Sequence, residues 1–167
     1  MAGCLKMFIA LMRHGEAVGT AKTGKDIDRP LSGKGIASAR KIGKLLGEHH
    51  FHPRTILCSP ALRTQQTLDA LELDTSIKTD FIQKLYYGSI NDYLSLIEST
   101  TVTGFPLLLI GHNPVLSSLA TQLCNPASVK LSLPLFLDTA HTALFEFSDI
   151  PVKQLAGRGN LLTILKP

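Results

Sequence analysis

Phe8-Ile9-Ala10-Leu11-Met12-Arg13-His14-Gly15-Glu16 is an apolar run that stops abruptly at charge and a glycine. An unbroken apolar stretch from Phe8 to Met12, with no polar alternation, is the pattern of a strand buried on both faces. The pattern returns downstream in Leu107-Leu108-Leu109-Ile110-Gly111-His112-Asn113-Pro114. Each run ends in a histidine at the strand's carboxyl end, the edge where open α/β sheets gather their ligands. Between them Thr55 to Cys58 is a shorter apolar strand. It leads into Ser59-Pro60-Ala61-Leu62-Arg63-Thr64-Gln65-Gln66-Thr67, a helix start with an arginine about one turn in.

The rest of the chain alternates strands with helices. Ser32 is placed to cap a helix running to about Gly47, with Ile36, Ala39, Ile42, Leu45 and Leu46 at helical spacing. Ser59-Pro60 and Asn113-Pro114 both read as cap-plus-proline helix starts. The first of these helices continues through Leu68 and Leu71, and the second carries Val115, Leu116, Leu119, Ala120 and Leu123 on one face. Ile77 to Thr79 is a candidate short strand, and Asn91 or Asp92 opens a helix carrying Tyr93, Leu94, Leu96 and Ile97. Thr142 to Phe147 and Leu161 to Leu165 read as two strands closing one sheet edge. The expectation is one α/β domain over residues 1–167, a three-layer sandwich with a mostly parallel central sheet. The polar stretch Glu16 to Leu31 is long enough to be functional rather than merely connecting.

Composition narrows the function. The chain has 167 residues, 18% of them charged, with a net charge of +4 and no tryptophan. With aromatics scarce and no block of consecutive basic residues, a nucleic-acid partner is not expected. Lys22, Lys25, Lys34, Arg40, Lys41 and Lys44 gather around the first loop and helix, either as a solvated face or as a funnel for an anionic substrate or acidic partner. Cys4, Cys58 and Cys124 make an odd set without disulfide or zinc spacing. They read as reduced thiols, Cys58 and Cys124 structural, in a cytoplasmic protein. Met7 to Met12 is too short for a signal peptide, and no run is long enough to span a membrane. His49-His50-Phe51-His52 sits before Pro53 at a helix end, where cationic histidines complement the dipole. No cysteine or carboxylate spacing supports it as a metal site, so neither metal nor cofactor is expected.

Two strand-end histidines and two arginines suit one task, holding and transferring a phosphoryl group. The arginine fork matches phosphate oxygens bidentately, each charged hydrogen bond contributing about 1.5–3 kcal/mol. The two helix starts would aim positive N-termini at the same region.

Arg13-His14-Gly15, Ser59-Pro60-x-x-Arg63-Thr64-x-x-Thr67 and Gly111-His112-Asn113-Pro114, in this order, resemble the histidine phosphatase superfamily. The short chain is similar to its SixA-like phosphohistidine phosphatase branch. The resemblance implies a phosphoglycerate-mutase-like fold in which His14 attacks phosphorus to give a covalent phosphohistidine intermediate. Arg13 and Arg63 would clamp the phosphoryl oxygens, with His112 if protonated. Ser59 and Asn113 are further substrate-binding candidates. Asp28-Arg29-Pro30-Leu31-Ser32-x-x-Gly35 is similar to a loop of that branch, from which Arg29 would reach substrate or tie the loop down through a nearby aspartate. Glu16 would act as acid or base, or orient His14 or an arginine. His141 and the pair Tyr86 and Tyr87 are assigned to structure and packing.

Larger members of the superfamily carry an acid that protonates an alkoxide leaving group. The matching stretch here, Phe81 to Tyr87, has no carboxylate, although Asp80 lies beside it. That favours a substrate whose leaving group departs readily, namely phosphohistidine on a protein or a small N-phosphorylated compound, handled by a monomer. A small-metabolite phosphomonoesterase and a catalytically silent phosphate-binding regulator are the alternatives.

Overall fold

The computed structural model describes residues 6–128, 134–148, 151 and 153–167. Six strands form one sheet: β1 (Lys6–Arg13), β2 (Thr55–Cys58), β3 (Lys78–Phe81), β4 (Leu107–Gly111), β5 (Thr142–Ser148) and β6 (Asn160–Leu165), in the order β3-β2-β4-β1-β5-β6. The four strands from β3 to β1 run parallel, and β5 and β6 add an antiparallel edge. Helices α1 (Gly33–Glu48), α2 (Leu62–Ala70), α3 (Lys84–Tyr87), α4 (Ile90–Ser99) and α5 (Val115–Leu123) complete the fold. It is the mostly parallel three-layer α/β architecture that the strand and helix patterns predict.

The apolar runs are explained by burial on both sides. In β1, Ile9 and Leu11 face a core formed with Tyr93, Ile97, Leu116 and Leu119 of α4 and α5. Ala10 and Met12 face the opposite core, with Ala39, Ile42 and Leu46 of α1. β4 divides in the same way, Leu107 and Leu109 to the first core and Leu108 and Ile110 to the second. A strand with two buried faces has no polar positions to alternate with.

Several local expectations need correcting. Ser32 does cap α1, its hydroxyl accepting from the Gly35 amide, but Ile36 is exposed rather than part of the apolar stripe. Neither proline begins a helix. α2 starts at Leu62, because Ser59 still extends β2, its amide donating to the Ile110 carbonyl. α5 starts at Val115, after a cis Asn113–Pro114 bond. The helix placed at Asn91 or Asp92 is α4, which begins at Ile90 behind a reciprocal cap between Ser89 and Asp92. Cys58 and Cys124 are buried, and burial pushes the Cys58 thiol up to about 12, which keeps it unreactive. Cys4 lies outside the described residues. No helix among the described residues is long and apolar enough to cross a membrane.

Candidate active site

Sheet register assembles the site. β1 and β4 are hydrogen-bonded neighbours with Arg13 opposite Gly111, so His14 and His112 leave adjacent strand ends side by side. The His14 amide donates to the Gly111 carbonyl at 3.2 Å, and the two imidazoles stand 5.0 Å apart between ring centroids. β2 adjoins β4 on the other side with Cys58 opposite Ile110, which brings Ser59 within 2.8 Å of His112 Nε2. Arg63 follows in the first turn of α2 and is nearly buried, 7% exposed, with its guanidinium 5.9 Å from the Tyr86 ring centroid.

The protonation state of His14 follows from geometry. Its Nδ1 lies 2.7 Å from the Gly15 carbonyl oxygen, which can only accept, so Nδ1 carries the proton and Nε2 presents a lone pair. Burial, and then the fields of Arg63, Arg13 and Arg29, lower its pKa to about 4, although the Gly15 bond opposes them. Burial, His14 and Arg63 lower His112 to about 3. Both rings are therefore neutral near pH 7, and His112 is not the cation that a protonated phosphate clamp requires. Thr67 holds the turn behind His14, its hydroxyl accepting from the Gly15 amide at 3.0 Å and donating to the Arg63 carbonyl.

Arg13 points toward Leu137 and Asp138, donating to the Leu137 carbonyl at 3.2 Å. Asn113 is engaged internally: its Nδ2 donates to the same carbonyl at 2.7 Å, and its Oδ1 accepts from the Ser117 amide and hydroxyl. It therefore fastens the Leu137 segment to α5. His141 accepts from the Asp138 amide in the turn that follows. Glu16 turns away from the imidazoles toward the start of α1, where the Ser32 hydroxyl and Lys34 hold its carboxyl below the usual range. Asp80 pairs with Lys78 in a groove lined by Leu96, Ser99 and Thr100 of α4 and its end. Among the described residues, Arg13 Nε and His112 Nδ1 are buried nitrogens without a hydrogen-bond partner. No three histidine, cysteine or carboxylate groups among those residues are placed to share a metal ion.

One carboxylate that belongs to the site was missed from sequence. Asp26 accepts from Arg29 at 2.9 Å on Oδ1, and from Arg63 and the Tyr86 hydroxyl at 3.0 Å each on Oδ2. The Arg29 bond foremost, with Tyr86 and Arg63, pushes its pKa down to about 2. The aspartate tie foreseen for Arg29 exists, and Arg29 Nε also donates to the Val18 carbonyl. Tyr86 is more than packing, since besides its ring meeting His112 edge-on at 5.6 Å its hydroxyl donates to Asp26. A sequence signal was present, because Asp26 lies three residues before Arg29 and the two pair across the intervening turn.

The model of the histidine phosphatase superfamily (branch 1) matches residues 9–86, the stretch holding His14, Asp26, Arg29 and Arg63. Phosphohistidine phosphatase SixA of Escherichia coli is 30% identical over 126 residues, covering 71% of this chain and 74% of that protein. An uncharacterized chloroplast protein of Arabidopsis thaliana is 30% identical over 134 residues, which span 74% of this chain but only 61% of that relative's length. Among solved structures, a candidate phosphohistidine phosphatase SixA from Nakamurella multipartitia superposes with a TM-score of 0.84 at 26% identity. That superposition covers 97% of this chain and 96% of the other.

Proposed function

This chain belongs to the histidine phosphatase superfamily, a family of phosphatases, and on that premise we propose that it hydrolyses phosphohistidine through a covalent intermediate on His14. The observation that carries the reading is the state of His14: neutral, tautomer fixed by Gly15, with Nε2 free beside Arg63 and His112. A neutral imidazole with an open lone pair is a nucleophile at pH 7 without a base to activate it.

In the proposed reaction the phosphoryl group sits over Nε2, its oxygens taken by Arg63, Arg13 and the unpartnered nitrogens of Arg13 and His112. These donors stabilise charge on the equatorial oxygens as the transition state forms. The Nε2 lone pair forms the new P–N bond while the bond to the leaving group breaks. The charge that develops on the His14 ring is held by the Nδ1–H bond to Gly15. Water then attacks phosphorus, phosphate departs, and His14 returns to neutral.

The leaving group decides the substrate class. Among the described residues, the carboxyl groups around the site are committed elsewhere: Glu16 faces Ser32 and Lys34, Asp80 lies in another groove, Asp138 pairs with Arg13, and Asp26 is held ionised. An imidazole leaves without the help of a carboxylic acid once its second nitrogen is protonated. Rapid loss of phosphate from a phosphohistidine-bearing carrier protein, with slow loss from phosphoserine and a sugar phosphate, is the expected result. His14→Ala should lose both turnover and the acid-labile phosphoenzyme seen on rapid quenching. Turnover of the sugar phosphate at the faster rate, or wild-type rates in His14→Ala, would overturn the reading.

A further inference from the structure

We propose that Asp26 contacts the leaving group, its carboxylate accepting a hydrogen bond from the ring N–H of the departing imidazole and so selecting nitrogen–phosphorus over oxygen–phosphorus bonds. The inference rests on the phosphohistidine reading above and names the group that would enforce it.

Depth in the site gives the first argument. The Arg63 side chain is 8% exposed, whereas Asp26 is 51% and Arg29 30% exposed. Arg63 thus lies on the floor, His14 is half-buried, and the exposed Asp26 stands at the rim with Arg29 and Tyr86. In-line displacement places the leaving atom opposite the attacking nitrogen. With His14 attacking from the more buried side, the leaving group points to the rim, where Asp26 stands.

Hydrogen-bond capacity gives the second. A carboxylate offers about four lone-pair sites. Arg29 takes one on Oδ1, and Arg63 and Tyr86 take two on Oδ2. One acceptor site remains, on Oδ1, on a group that is half-exposed and held in place by three donors. A lone positioning carboxylate for Arg63 would need neither the exposure nor the spare site.

Charge gives the third. A phosphorylated imidazole protonated on its second nitrogen carries a positive ring. The His14 Nε2 pair makes the new P–N bond, the old P–N pair returns to the leaving nitrogen, and the imidazole departs neutral with its proton still on the second nitrogen. The positive charge passes to the His14 ring, so no proton moves in the step. What the substrate needs is a rim group that keeps its leaving ring protonated, and an ionised carboxylate does that. The same carboxylate opposes the negative charge growing on the oxygen of an alkyl ester.

The test compares kcat/KM for a phosphohistidine-bearing peptide and for p-nitrophenyl phosphate, whose phenolate departs unprotonated, in the wild type, Asp26→Asn and Asp26→Glu. Asp26→Asn should lower the phosphohistidine-to-aryl ratio about tenfold, the scale of one charged hydrogen bond at a partly exposed site. Asp26→Glu, which keeps the charge, should stay close to the wild-type ratio. Equal losses on both substrates would make Asp26 only a positioning residue for Arg63 and overturn the proposal while leaving the phosphohistidine reading intact. Wild-type turnover of the aryl ester without turnover of the peptide would overturn both.

Discussion

At the scale of single residues, the site depends on histidines kept neutral by burial. His14 binds its proton near pH 4 in the folded chain and near 6.5 when unfolded, and His112 is depressed further, to about 3. Between those values the unfolded chain holds more protons than the native one, so acidification favours unfolding. Stability should be highest above pH 6.5 and fall as pH drops toward 4, each histidine adding a slope of at most about 1.4 kcal/mol per pH unit. His14→Asn removes one titrating group, and urea midpoints at a series of pH values should show a shallower decline. An unchanged slope would mean that burial does not impose neutrality on His14. The four residues that sequence assigned to phosphoryl chemistry, Arg13, His14, Arg63 and His112, do lie together, because three sit at or just past strand ends that the apolar runs reveal and Arg63 lies in the first turn of the helix that follows β2. Asp26 was legible only as a local partner for Arg29, and its place against Arg63 was not, for a physical reason. It comes from a polar loop with no periodicity, and only the folded chain brings it against Arg63, 37 residues away.

At the scale of elements, close backbone approach constrains the turn that carries His14. A Cβ on Gly35 would collide with the Glu16 carbonyl oxygen, and one on Gly15 would stand 2.7 Å from the Gly35 carbonyl oxygen. The first turn of α1 thus presses directly on the turn that carries His14, with no side chain between them. Gly35→Ala has no flexible neighbour to push aside. It should cost about 1–3 kcal/mol, the scale of overpacking, and lower turnover by displacing the nucleophile. A thermal melt and an aryl-phosphate assay would check both, and a variant with wild-type turnover would show that α1 does not set the pose of His14. Helix bodies were readable from sequence because burial leaves a period. Their first residues were not. Pro60 suits a helix start by propensity, but the sheet keeps Ser59 in a ladder hydrogen bond to Ile110, and α2 waits until Leu62. There a tertiary partner outranks the local preference, whereas Asn113 does cap α5, its Oδ1 accepting from the Ser117 amide, and only the first helical residue shifts to Val115.

At the scale of the whole molecule, the doubly buried strands tie both cores into one unit. Leu108 and Leu109 are sequence neighbours on β4, each with 0% of its surface exposed, yet they serve opposite cores. Truncating either to alanine should cost about 2–5 kcal/mol, a large share of the roughly 5–15 kcal/mol by which a domain is usually stable. If residues 1–167 form one domain, Leu108→Ala and Leu109→Ala should each lower the same single unfolding transition, because β1 and β4 belong to both layers. Calorimetry with matching calorimetric and van't Hoff enthalpies would establish this for the wild type and both variants. Two resolved transitions, or a variant that melts one layer alone, would show that the layers fold independently. The consequence reaches the site. His14 and His112 stand on the ends of β1 and β4, the strands both cores grip, so their 5.0 Å separation is held from two sides. Asp26, Arg29 and Tyr86 come from loops and a short helix at the rim. On the proposed reading, a floor held from two sides beneath a rim of separate origin would let leaving-group preference change without disturbing His14.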